Sequence, residues 1–212
     1  MALQNRVSPD GEIHAVAARG TMLGNRGGCH HDANKRLSGR RWVSRQWIVC
    51  RLQFKGRQRE VMAPNRYTEL FFLDEATAFA AGHRPCFECR REDALRFAEL
   101  WAECDGETGR ATAPAMDRVL HDERLDRDGG KRVTTAEIGT LPDGAFVRWH
   151  GQPHLVWLGW LLRWSFGGYQ GRLKAPAGTL VEVLTPASIC KVLRAGYRPQ
   201  LHASADDMRL PD

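Results

Sequence analysis

The chain has 212 residues, 42% of them apolar, and a formal net charge of +6. That is enough apolar matter for one sizeable core or two small ones, and no apolar run approaches the ~18 residues that cross a bilayer. Six cysteines are too few for a disulfide scaffold, so in a reducing compartment they stay thiols or hold a metal.

The opening residues carry no apolar signal core, so a cytoplasmic protein without membrane contact is the expectation. The charge is uneven: residues 1–66 carry 13 Lys or Arg against 4 Asp or Glu, and the remainder carries 18 against 21. Such asymmetry suits either an anionic partner met by the first third or a plain solvated basic face.

In chain order, residues 13–26 read as a short strand running into a Gly-rich loop. The run Gly24-Asn25-Arg26-Gly27-Gly28 suits a tight turn or a phosphate cradle, but lacks the Lys-Ser/Thr ending of a P-loop. Residues 47–54 alternate apolar and polar and predict a strand, with Lys55-Gly56 as a turn and 57–62 as the returning hairpin arm. Residues 67–73 predict a third strand. Asp74 then caps a helix over 75–81, since its carboxylate can accept an unpaired early N–H, and Gly82 ends it.

A second helix is predicted over 91–103, where Ala94, Phe97, Ala98 and Trp101 recur at helical spacing. Residues 107–137 are polar and predict a loop, with a weak helix near 116–124. Beyond them lies a β-rich block: a hairpin over 145–150 and 154–158 turning at Gly151-Gln152-Pro153, then strands over 160–165 and 179–184. Thr185 and Pro186 start a helix that ends at Gly196.

The fold class predicted is α+β. A zinc-stapled N-terminal hairpin and helix module (15–104) is followed by a polar linker or weakly helical insertion (105–138). A small β-rich module with a C-terminal helix (139–205) completes the chain.

The chemistry concentrates in Gly82-His83-Arg84-Pro85-Cys86-Phe87-Glu88-Cys89-Arg90-Arg91. A Cys-x-x-Cys pair at a helix start supplies two of the about four ligands that a structural zinc takes. The helix N-terminus and the neighbouring arginines favour thiolates, the form zinc binds. Upstream, Cys29 with His31 or His30 would complete the set, and His83 is a further candidate; Cys50 lies on a predicted strand whose facing the sequence does not resolve. His30, His31, His83 and Glu88 are the side chains suited to general acid–base work beside a metal. Neither a His-x-Glu deaminase signature nor a Gly-x-Ser-x-Gly elbow is present.

Residues 66–91 resemble the second half of the zinc-binding domain of Ada-type alkylated-DNA repair proteins. That half has a Phe-Phe strand end, an Ala-rich helix and a Gly-Phe-Arg-Pro-Cys-x-x-Cys-Arg run, matched here by Phe71-Phe72 and by Gly82 to Arg90. The resemblance implies zinc at Cys86 and Cys89, and DNA as a partner. In that family an upstream Cys-x-x-x-Cys pair completes the site, and one of its cysteines accepts a methyl group from a DNA phosphotriester. This chain has no such pair, so Cys29 and His31 are the upstream residues the resemblance reaches. The chain as a whole also resembles a set of bacterial proteins, a likeness that carries no activity with it.

Basic residues alternate with Trp42 and Trp47 through the first third. Arg26, Arg40, Arg41, Arg45, Lys55, Arg57, Arg90 and Arg91 are the expected phosphate contacts, with Arg51 and Arg59 extending the ridge along the hairpin. Trp47 itself sits on an apolar strand and suits the core. The expectation is a zinc-containing nucleic-acid-binding protein, with DNA as the partner. The alternatives are a metal-dependent enzyme of nuclease or repair type acting on nucleic acid or a modified base, and a metal-free interaction protein.

Overall fold

A computed structural model describes residues 2–58 and 60–208; Arg59 lies outside the described residues. Two six-stranded sheets and four α-helices make up this α+β chain among those residues.

The first sheet is built from β1 (Gln4–Val7), β2 (Ile13–Ala15), β3 (Met22–Arg26), β4 (Trp47–Arg51), β5 (Leu70–Phe72) and β6 (Arg84–Pro85). Its order is β2-β1-β5-β3-β4-β6. The β1–β5 and β4–β6 pairings are parallel and the others antiparallel.

The expected Gly-rich loop is thus a central strand, β3. Gly24 fits there because a Cβ would stand 2.4 Å from the Ile48 carbonyl and 2.8 Å from the Phe72 ring. Its backbone groups go into the ladder with β4 and β5, which rules out the phosphate cradle over residues 24–26. The expected hairpin arm at 57–62 is also absent. A turn does form, with Lys55 and Gly56 at positive φ and the Arg57 N–H donating to Phe54 at 3.2 Å. Among the described residues beyond it, Arg57, Gln58 and Glu60 are exposed, Met62 is buried and none joins a ladder; β4 pairs with β3 and β6 instead.

The second sheet is wholly antiparallel, in the order β11-β10-β9-β8-β12-β7. Its strands are β7 (Thr134–Glu137), β8 (Phe146–Trp149), β9 (Gln152–Trp157), β10 (Trp160–Ser165), β11 (Gly168–Leu173) and β12 (Leu180–Val183). The β8–β9 turn falls on His150-Gly151, both at positive φ, one residue earlier than the sequence suggested.

Helix α1 (Glu75–Ala80) lies between the two sheets, and all six of its residues are buried. Ala78 and Phe79 enter the first core, and Ala76 and Ala80 the second. Asp74 caps it as expected, its Oδ1 accepting from the Thr77 N–H at 2.9 Å. The same carboxylate accepts from the Tyr169 hydroxyl at 2.7 Å and the His202 N–H at 3.1 Å. Glu75 accepts from the Tyr197 hydroxyl at 2.8 Å and the Gln200 N–H at 2.9 Å, and pairs with Arg90 at 2.7 Å. Two buried acids at one helix start therefore tie the second sheet and the C-terminal segment to the first sheet.

Three further helices close the structure: α2 (Arg91–Cys104), α3 (Ala113–Arg124) and α4 (Ala187–Arg194). Within the polar stretch 105–138, α3 buries Met116 and Leu120 four residues apart, and β7 joins the second sheet. The Ile189, Val192 and Leu193 side chains of α4 pack into the first core. Pro186 caps α4, while the Thr185 hydroxyl accepts from the Phe146 N–H at 2.8 Å.

Breaking a buried ion pair strands its partner's charge, at a cost of about 3–5 kcal/mol. Glu75→Ala should lower unfolding stability on that scale in denaturant titrations, because Glu75 and Arg90 are both fully buried. Arg57→Ala, at the exposed pair with Glu88, should leave the denaturation midpoint nearly unchanged.

Candidate metal centre

Strand β4 alternates: Trp47 and Val49 face the core, so Cys50 lies on the opposite face. Strand β6 pairs parallel to it, with Ile48 opposite Arg84 and Val49 opposite Pro85. Continuing that register by one residue sets Cys86 beside Cys50. The Val49 carbonyl accepts from the Cys86 N–H at 3.0 Å and fixes this arrangement. The chain then turns through Phe87 and Glu88 into α2, with the Arg90 N–H donating to the Cys86 carbonyl at 3.0 Å, and this turn returns Cys89 to the same place.

The result is a cluster of three sulfurs, from Cys50, Cys86 and Cys89, all within 4.8 Å of one another. Tetrahedral zinc with bonds of about 2.3 Å needs sulfurs about 3.8 Å apart, so the arrangement fits a thiolate-bound ion with little movement. Cys86 and Cys89 are buried and Cys50 is half-buried. Among the described residues no fourth Cys, His, Asp or Glu atom joins the set.

Within the cluster the Cys86 thiol is shifted downward. Side-chain hydrogen bonds from Cys50 and Cys89, helped by the backbone N–H groups of Cys89 and Glu88, hold it far below the ordinary thiol range. The Glu88 N–H lies 3.4 Å from its sulfur. Cys50 is pushed the other way by its hydrogen bonds to Cys86 and Cys89 and by burial. For Cys89 a hydrogen bond from Cys50 acts downward, but the bond to Cys86 and burial outweigh it. Three close thiols that resist losing all their protons are the situation a divalent cation relieves.

Cys29 and His31, expected to complete the set, do not join it. Cys29 is exposed, and its sulfur stands 3.7 Å from Nδ1 of His31. Both ring nitrogens of His31 are engaged, Nδ1 with the Thr68 hydroxyl at 2.7 Å and Nε2 with the Ala63 carbonyl at 3.2 Å. A carbonyl only accepts, so Nε2 carries the proton and Nδ1 takes the hydroxyl's.

The remaining acid–base candidates are also dispersed. His30 is buried and held down to about 4 by burial, then by Arg26 and His31. His83 is fully buried against Phe72 and Trp47, and its Nε2 accepts from Arg26 at 3.5 Å. Burial, then Arg26 and Arg124, keep it neutral. Glu88 is exposed between the two cysteines and pairs with Arg57 at 2.6 Å.

Two of the expected phosphate contacts are interior groups. Arg90 is fully buried between Glu75 and Asp93, and Arg26 is 2% exposed. Arg40, Arg41, Arg45, Lys55, Arg57 and Arg91 are exposed, as is Arg51. Of these, Arg41 pairs with Glu12 at 3.1 Å and Arg57 with Glu88. Comparison with family models, curated proteins and solved structures finds no match to this chain.

The 212-residue chain prepared with zinc should retain about one ion per chain after dialysis, as measured by elemental analysis. Cys50→Ser and Cys86→Ser should lose most of it, because each removes one of three converging sulfurs. Cys29→Ser should keep it, and an equal loss there would place the site elsewhere.

Proposed function

We propose that this chain is a zinc-thiolate protein that engages nucleic acid, with DNA as the partner, through cations carried on the metal-bound turn and the neighbouring loops. The observation that carries the reading is the convergence of Cys50, Cys86 and Cys89. An ion held there would bind β4 to the start of α2 and so fix the Cys86–Cys89 turn. Arg51 and Arg91 follow Cys50 and Cys89 within two residues and are exposed. Lys55, at the tip of the next turn, is exposed as well. The resemblance of residues 66–91 to Ada-type zinc domains supports both the ion and the partner. Cations of this kind meet phosphates without regard to sequence and release condensed counterions when they do so.

Three protein ligands, rather than the four of a closed structural site, favour a second reading. In it the chain is a metal-dependent enzyme of nuclease or repair type, acting on nucleic acid or a modified base. Glu88, exposed between two of the ligands, is then the nearest carboxylate along the chain for general acid–base work. A product that forms from labelled single- or double-stranded DNA, disappears with chelator and is lost in Glu88→Gln would establish it. Unfolding on chelation without turnover would assign a structural ion.

The binding reading is tested by filter binding of duplex DNA across a salt series. Affinity should fall linearly on a log–log plot, and replacing Arg51, Lys55 and Arg91 together by Gln should reduce the slope by about 3. Affinity that is undetectable at low salt, or flat as salt rises, would sink it.

A further inference from the structure

The buried arginines of this chain fall into two groups. Arg84 faces Asp117 through two 2.8 Å contacts, and Arg90 faces Glu75 and Asp93. Arg26 and Arg124 are equally buried, at 2% and 1% exposure, yet neither forms an ion pair among the described residues. They stack on one indole instead, their guanidinium carbons 4.0 and 3.9 Å from the Trp47 ring centre. Their other partners are not carboxylates: Arg26 donates to the Gly11 carbonyl at 2.8 Å and to His83, and Arg124 donates to the Gly82 and Arg45 carbonyls at 2.9 and 2.7 Å and lies 3.2 Å from Nδ1 of His121. Nε of Arg124 is buried without any partner.

A third cation joins them. The Lys131 stem is partly exposed, but its amine turns inward and donates to the Ala80 carbonyl. Burial, and then Arg26 and Arg124, lower its affinity for a proton to about 7, although Asp10 acts in the opposite sense. Burial also lowers Arg26 and Arg124, each to about 9. Burial is the largest cause for all three; Glu12 acts upward on Arg26 and Asp117 on Arg124, so what marks the group is that three buried cations meet without a carboxylate in ion-pair contact.

The three groups line one small cavity of about 30 Å³, with Trp47 and Arg41 also in its lining. A water molecule needs about 10–15 Å³ on the same measure, so the space suits one small polyatomic ion rather than a large ligand. Two carboxylates stand in its lining, Asp10 and Glu12. Asp10 is engaged by the Ser8 hydroxyl at 2.5 Å, and Glu12 by Arg41. Neither reaches Arg26, Arg124 or Lys131 as an ion pair.

We propose that this cavity is a binding site for a phosphate-type oxyanion, held by Arg26, Arg124 and Lys131 beside Trp47, with the exposed Arg41 as a further cation in the lining. Planar guanidiniums fixed by stacking are suited to fork-like hydrogen bonding of tetrahedral oxyanions. The anion supplies the countercharge that Asp117 and Glu75 supply to the other buried arginines. The inference stands independently of the nucleic-acid reading, since the cavity is not part of the three-cysteine cluster. The phosphate group could be free or the terminus of a strand.

Inorganic phosphate titrated calorimetrically into the full chain, at constant ionic strength in chloride, tests the site. The expected result is saturable binding to one site, with a thermal midpoint that rises with phosphate and not with equivalent chloride. Lys131→Met, at a partly exposed position that should still fold, should weaken binding by about tenfold or more, the worth of one charge-assisted hydrogen bond. Arg124→Lys should weaken it further. Absence of saturable binding at millimolar phosphate would overturn the proposal, and so would unaltered binding in a folded Lys131→Met. Displacement of phosphate by a 5′-phosphorylated oligonucleotide but not by its 5′-hydroxyl form assigns a strand terminus. Displacement by neither assigns free phosphate or a small phosphorylated molecule.

Discussion

The candidate metal centre depends on one short pairing, the parallel contact of β4 with the two-residue strand β6. The pairing sets Ile48 opposite Arg84 and Val49 opposite Pro85, and the bond from the Cys86 N–H to the Val49 carbonyl continues it to the first sulfur. Because side chains alternate along a strand, that register brings Cys50 to the face where Cys86 emerges and leaves Trp47 and Val49 in the core. Parallel strands need a long connection, and here it is the whole of residues 52–83. The sulfurs are therefore brought together by an edge strand held at the end of a large loop closure, a costly arrangement that a bound cation would reinforce.

The second organising feature is the treatment of buried charge. Asp74 and Glu75 open a fully buried helix and receive donors from Tyr169, Tyr197, Gln200 and His202. Buried carboxylates that collect several donors in this way become fixed points, because each lost partner leaves an ion in a poorly solvated place. The C-terminal segment folds back onto these acids, and α4 fills the first core alongside α2. Packing thus crosses between the stretches that the sequence separates by composition.

Much of this was legible without coordinates. The Asp74 cap, the Ala-rich helix, the apolar stripe of α2 and the β8–β9 hairpin follow from local chemistry, and the structure carries each. Cys86 and Cys89 were legible because their spacing is itself a ligand pattern. Cys50 was not among the ligands read from the sequence, since its place in the cluster comes from a pairing between strands more than thirty residues apart. Cys29, His30 and His31 drew attention by density, yet Thr68 and Ala63 occupy the His31 ring. Arg26 and Arg90 were read as surface cations because a sequence shows charge and not burial. The glycines before Arg26 suggested a loop, whereas Gly24 serves close strand packing against Phe72.

Gly82 shows how closely the two constellations are coupled. It ends α1 at positive φ, and a methyl group there would stand 2.7 Å from the Arg124 side chain. Its missing side chain is therefore the space through which Arg124 reaches the indole of Trp47. Four residues later the same segment delivers its first sulfur. On β4, Trp47 and Cys50 are three positions apart and so point to opposite faces. One inserted or deleted residue between them would turn a stacking platform outward or a sulfur inward. Spacing along this strand is thus constrained from both sides at once, whichever apolar residues fill the positions between.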